Sequence, residues 1–463
     1  MRHASMRRGT LATVAALAAA GLVLTACSSG GGGGGGKVDD NPDKGLDVVG
    51  ETLTYDPNTL VNEGKPVTLD WWVWFYDEGF KKIAADYQEI HPNVTINVVN
   101  QPWDDYWTKL PLELQGDKGP AIFNIHNSQE ANILPYAEPY DIPVDELSAD
   151  FTGAASHVVD GKVYYIDFGL MSGAIYYNTD MWAAAGLTDA DVPTTWDEFR
   201  EVAKKLTVRD GDTLTQSGFN FNSSGAAFQG GLAYQLGQNL FAQDGTTPTI
   251  DNEANLTVIE RFLDIYADGS GDPNFGTNSG EAFGQGLTAM TYDWGHFVGN
   301  LATNYPDINY ATFQLPAPEA GETPYAIDRY NGEATFGINA KASDAQKAAA
   351  QDFLRFFLTN SEFLTQMCLD FGVYPAYKVI ADDPAFGENP ALAAFGDVER
   401  YIWPGPMPAA IETSWKAMWE DVLYNNVAPA DALKAAQAQA EKDLAGTGFV
   451  SVENLYPFYQ PTS

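Results

Sequence analysis

Val67-Thr-Leu-Asp-Trp-Trp-Val-Trp74 is the stretch on which the fold turns. Its β-branched and aromatic residues read as a strand, and alternation buries at least one of Trp71 and Trp72. Helical spacing over 78–90 and a second β-rich run over 93–100 complete a β-α-β unit. A helical stretch over 103–114 and the short run Pro120-Ala-Ile-Phe-Asn-Ile125 extend the alternation. Strands and helices in that order predict a parallel sheet flanked by helices.

Upstream of this unit the chain reads as an address and a tether. Arg2, Arg7 and Arg8 precede an uncharged run over 10–26 that ends in Leu24-Thr25-Ala26-Cys27. A charged start, an apolar stretch and small residues before the cut make a secretory signal. The Cys behind them matches a lipobox, so residues 1–27 are expected to be a lipoprotein signal with Cys27 diacylated. Residues 28–66, beginning with Ser28, Ser29 and a run of glycines and continuing polar, are expected to be a flexible tether carrying at most a short appended strand.

The body beyond the tether, roughly 400 residues, exceeds one hydrophobic core and suits two lobes. With 45% hydrophobic and 13% aromatic residues, both can be filled. Cys27 is committed to the lipid, so Cys368 is expected as a small buried hydrophobe and no disulfide forms. The 62 acidic and 25 basic residues give a net charge of −37 without long acidic runs. That balance disfavours nucleic acid and anionic ligands and suits a solvated surface facing the outside. Five His and one available Cys supply no transition-metal site, and no acidic loop has calcium-hand spacing, so neither metal nor cofactor is expected.

Further along stand Tyr176-Tyr-Asn178, Thr179-Asp-Met-Trp-Ala-Ala-Ala-Gly-Leu187 and Pro193-Thr-Thr-Trp-Asp-Glu-Phe199. Downstream come Phe283-Gly-Gln-Gly-Leu-Thr-Ala-Met290 with Asp293-Trp294-Gly295, Tyr330-Asn-Gly-Glu-Ala-Thr-Phe-Gly-Ile338, Phe371-Gly-Val-Tyr-Pro-Ala376 and Pro429-Ala-Asp-Ala-Leu433. In this order over 67–444 they resemble the extracellular solute-binding proteins of carbohydrate ABC transporters, the maltose-binding-like family 1 lipoproteins. Capping chemistry marks the same boundaries independently. Thr195 stands before Asp197 and Glu198, and Ser343 before a helix with Ala348, Ala349, Phe353, Phe356 and Phe357 at helical spacing.

The resemblance implies an α/β, type II periplasmic-binding-protein-like fold: two lobes, a ligand cleft and three hinge crossings. These are placed near 167–173, near 329–335 and just after Lys378. Lobe 1 then comprises 67–170 and 331–378, and lobe 2 comprises 171–330 and 379–463. Ligands of open α/β sheets bind beyond the carboxyl ends of strands. A sugar needs aromatic faces and paired hydrogen-bonding groups. The strand exits offer Trp74 and Tyr76, Gln101 and Trp103, then His126 and Asn127. The crossings offer Asp167, Phe168 and Glu333, with Tyr374 near the third; at Asp167 and Phe168 the family more often has a Pro. Lobe 2 offers Asp293, Trp294 and Trp415.

The expected function is capture of a sugar, an oligosaccharide given so many aromatics, by lobe closure and delivery to a membrane permease. The protein is expected as a lipid-anchored monomer on the extracytoplasmic face of the cell membrane. The alternative is a lipid-anchored glycoside hydrolase with two carboxylates astride the bond. Against it, no Gly-x-Ser-x-Gly elbow, His-Glu-x-x-His or phosphate-binding Gly-rich loop occurs, and the lack of an internal repeat speaks against a third class, an adhesion or scaffold module.

Overall fold

The computed structural model describes residues 44–321, 323–394 and 400–453, so the expected signal, with Cys27, lies outside the described residues. Among the described residues no helix is long and apolar enough to cross a membrane.

Strand β1 (Val67–Val73) is followed by helix α1 (Asp77–Ile90), β2 (Val94–Asn100), α2 (Trp103–Gln115), β3 (Ile122–Asn124) and the short β4 (Ala137–Glu138). Trp71 is fully buried while Trp72 is only partly so, as the alternation requires. α1 buries Phe80, Ile83, Ala84 and Tyr87, the stripe of an amphipathic helix, and carries Asp77 and Glu78 in its first turn. The sheet is mixed rather than wholly parallel. β1 pairs in parallel with β2 and β3. β9 (Phe336–Asn339), however, returns from the hinge side without a crossover helix and runs antiparallel to β3 and β4.

The second sheet is organised by β5 (Asp167–Asn178), every residue of which is buried. Its second half pairs with β6 (Met290–Trp294) and β7 (Tyr310–Phe313), its first half with β8 (Tyr330–Ala334) and β10 (Tyr374–Pro375), all antiparallel. One continuous strand therefore belongs to both halves of the molecule. Gly173 stands between them because a Cβ there would lie 2.0 Å from the Tyr292 hydroxyl.

Two large hydrophobic cores flank this strand. The first joins Trp71, Phe80, Phe336 and Phe353; the second joins Trp182, Phe199, Phe228 and Trp415. Helix α3 (Trp196–Leu206) enters the second through a capping box of Thr195 and Glu198. α5 (Asp344–Thr359) covers the first and is capped by Ser343 and Gln346. It buries Ala349, Ala350, Phe353, Phe356 and Phe357, while Ala348 faces solvent. Cys368 is buried, its thiol pushed up by desolvation.

Two boundaries differ from expectation. Ordered structure begins well before residue 67, because Leu53, Tyr55 and Val61 insert into the first core. There the Tyr55 hydroxyl meets His91 Nε2 at 2.7 Å and the Leu53 N–H donates to Asp150 at 2.7 Å. The third crossing is not just after Lys378. Ile380, Phe386 and Leu392 remain in the first core. The chain passes over near residue 402, where Ile402 N–H donates to Asp328 O (3.0 Å) and Tyr330 N–H donates to Ile402 O (2.9 Å).

Candidate ligand-binding cleft

Between the two cores lies a cleft of about 620 Å³. Its first wall grows from the exits of β1, β2 and β3. Trp74 leaves β1 at a turn where Tyr76 is held at φ 50°, a left-handed conformation that is costly for a non-glycine residue. Trp103 opens α2 and is 42% exposed. Trp107 lies one turn further along α2, and His126 follows β3. The four rings meet edge-on: Trp74–Trp103 centroids are 5.4 Å apart, Trp103–Trp107 5.3 Å and Trp103–His126 5.2 Å. His126 Nδ1 lies 2.7 Å from Ser128 Oγ, and desolvation lowers its pKa, so the ring is neutral at neutral pH. Phe75 and Phe371 close one end, their centroids 4.8 Å apart.

The opposite wall is mixed. Trp294 ends β6, its carbonyl accepting from the Tyr176 hydroxyl at 3.1 Å. Arg329 lies against its face with Cζ 4.8 Å from the ring centroid. Ser223, Ala226 and Ala227 come from the start of α4 (Gly225–Gln235), and Glu412 and Lys416 project from α6 (Ala409–Tyr424). Across the hinge, Asn331 and Glu333 of β8 form the floor. Burial, with the neighbouring Asp167, pushes the Glu333 carboxyl up to about 8.

Of the residues singled out from sequence, Trp74, Trp103, His126, Trp294 and Glu333 line the cleft. The others are placed elsewhere, each for a visible reason. The Tyr76 hydroxyl is turned away to donate to Asp370 at 2.7 Å. Gln101 continues the strand through its N–H to Val73 O at 2.8 Å. Asn127 is buried and braces the floor from behind, donating to Asn331 Oδ1 at 2.6 Å. Asp167, 2% exposed, pairs with buried His157 at 2.9 Å, and Phe168 is core. Asp293 accepts from the Trp294 N–H at 2.8 Å behind the wall, and desolvation raises it to about 7. The Tyr374 hydroxyl donates to Ala381 O at 3.3 Å. Trp415, 1% exposed, belongs to the second core, so a stacking role there is not matched by its placement.

Sequence reasoning missed the lining residues Arg329, Asn331, Glu412 and Lys416, and Trp107, which packs edge-on against Trp103. Trp107 had a signal, since Trp103 and Trp107 share a helix face at i,i+4. Lys416 was missed by one position: a helix turns about 100° per residue, so α6 buries Trp415 and presents its neighbour. Among the described residues no cluster of His, Cys, Asp or Glu could hold a metal ion.

The comparisons agree with this architecture. The chain matches the bacterial extracellular solute-binding protein family over residues 82–394, more than half its length. The diacetylchitobiose-binding protein of Streptomyces coelicolor is 25% identical over 435 residues, 88% of this chain and 93% of that one. The maltotriose-binding protein of Pyrococcus abyssi is 23% identical over 345 residues, 73% of this chain and 72% of that protein. The crystal structure of the cyclic α-maltosyl-1,6-maltose-binding protein of Arthrobacter globiformis matches with a TM-score of 0.66 and 22% identity, covering 82% of this chain and 99% of the other. That likeness carries the fold, a type II periplasmic binding protein, and the family match carries the rest: this chain belongs to the bacterial extracellular solute-binding proteins, which bind rather than catalyse.

Proposed function

We propose that this chain is the lipid-anchored substrate-binding component of an ABC importer. It captures an oligosaccharide in the cleft by lobe closure and hands it to a membrane permease. The observation that carries this reading is a cleft walled by Trp74 and Trp103 on one side and Trp294 on the other, with hinge strand β5 running through both lobes. Indole faces pack on sugar C–H groups while His126, Asn331 and Glu333 exchange hydrogen bonds with hydroxyls. Closure about β5, β8 and the segment near Ile402 brings the walls together. The relatives named for sugar ligands point the same way.

Cys27 anchors the mature chain through its lipid, the residues after it act as a tether, and the body acts as a monomer. Cys27→Ser is expected to release the protein from membranes, and unchanged membrane retention contradicts the anchor. A thermal-shift screen against a glycan panel tests the ligand class. A true ligand at a hundredfold excess over Kd adds about 2.7 kcal/mol of stability. A panel without a single hit removes the sugar reading.

A further inference from the structure

Arg329 is 2% exposed, yet it lines the cleft. Its Nη2 donates to Ala227 O at 3.3 Å, and its buried Nε has no hydrogen-bond partner among the described residues. It makes no ion pair there either; the Trp294 face lies against it. The seat is built for it. A Cβ at Gly230 of α4 would sit 3.2 Å from Nε and 2.7 Å from Trp415 Cη2, so only glycine lets the helix approach both. The neighbouring Asp328 carboxyl acts on this guanidinium through space but makes no ion pair with it; a buried guanidinium without a paired carboxylate is expensive, and its planar fork of donors matches a carboxylate bidentately.

The charges around it point the same way. Lys416 is exposed on the same wall, and Glu412 shares the lining with it. Glu333, held up to about 8, is mostly protonated at pH 7. Arg329 and Lys416 thus both face the cleft within a chain of net charge −37. Surface carboxylates further off than about 8 Å are screened at physiological salt, so the global balance does not decide what the cleft accepts.

We infer that the cleft takes an acidic oligosaccharide, a uronate carboxylate docking on the Arg329 guanidinium beside Lys416 while neighbouring sugar rings lie against Trp74 and Trp103. This rests on the reading of the cleft as a sugar site. It departs from the expectation, drawn from net charge, that anionic ligands are disfavoured.

The test is calorimetric titration of the full soluble body with trisaccharides of galacturonate, glucuronate, mannuronate and guluronate. Each is matched with its neutral hexose counterpart, and a hexose 6-phosphate is run alongside. At least one uronate is expected to bind tenfold or more tightly than its neutral counterpart, and to weaken as salt rises. Arg329→Gln erases that preference, Arg329→Lys restores part of it, and Lys416→Gln, at an exposed position, reduces it a few-fold with unchanged melting. Tighter binding of the neutral member, or a preference that survives both Gln variants, overturns the inference while leaving a sugar site intact. Preference for the phosphate overturns the carboxylate. Binding of no saccharide at all overturns the sugar reading itself, and this inference with it.

Discussion

The two walls of the cleft are made differently. On the first, Trp74, Trp103, Trp107 and His126 hold one another edge to face and continue into the core through Tyr106, whose hydroxyl donates to Asn124 O at 2.7 Å. On the second, one indole shares the surface with Arg329, Glu412 and Lys416. Mutually braced rings present apolar area with little ordering cost on binding, so on the proposed reading the first wall is expected to supply affinity. Charged groups discriminate between ligands, so on the same reading the second is expected to supply selectivity.

The sharpest way to break this comparison is to exchange a core tryptophan for a wall tryptophan. Trp415→Ala is expected to cost about 3–5 kcal/mol of stability because it empties a filled site in the second core. Trp103→Ala, at an exposed ring, should leave the melting temperature of the free protein nearly unchanged. The second effect is on affinity: Trp74→Ala or Trp103→Ala is expected to weaken ligand binding by about 2 kcal/mol, roughly thirtyfold, in a calorimetric titration.

The third concerns pH. Glu333 is raised from 4.5 to about 8, and Asp328 and Glu453 each to about 7, all chiefly by desolvation. In each case the folded state holds its proton more tightly than the unfolded chain does. Their contribution is therefore fully present below about pH 4 and is lost as pH rises through about 8. Chemical denaturation across that window should show falling stability, with a shallower slope in Glu333→Gln; an identical slope would place the carboxyl in water. The smallest effect expected is at a helix start remote from both walls. Thr195→Ala removes the acceptor for the Glu198 N–H and should cost about 1 kcal/mol by urea denaturation without touching affinity.

Much of the first lobe was legible because its signals are local. The strand at 67–73, the helix stripe after it and the strand-exit residues Trp74, Trp103 and His126 all follow from periodicity and from where sheets present loops. The anchors Leu53, Tyr55 and Val61 were hidden inside a polar stretch, since three spaced apolar residues form no period. The third crossing was placed too early because the helices Pro384–Glu388 and Pro390–Ala393 are too short to show a pattern. Arg329 illustrates the deeper limit. A charged residue on a crossing reads as solvated, and only packing under Trp294 and against α4 buries it.

The central claim is that ligand lies between the two walls and not elsewhere on the molecule. It is tested most directly by titrating the tightest saccharide from the panel into Trp103→Ala and Trp294→Ala, with apo melting measured on the same samples. The account predicts that variants from opposite walls each lose at least tenfold in affinity, with melting close to that of the unmodified protein for the exposed Trp103. Unchanged affinity in both, with the saccharide still bound, would contradict it.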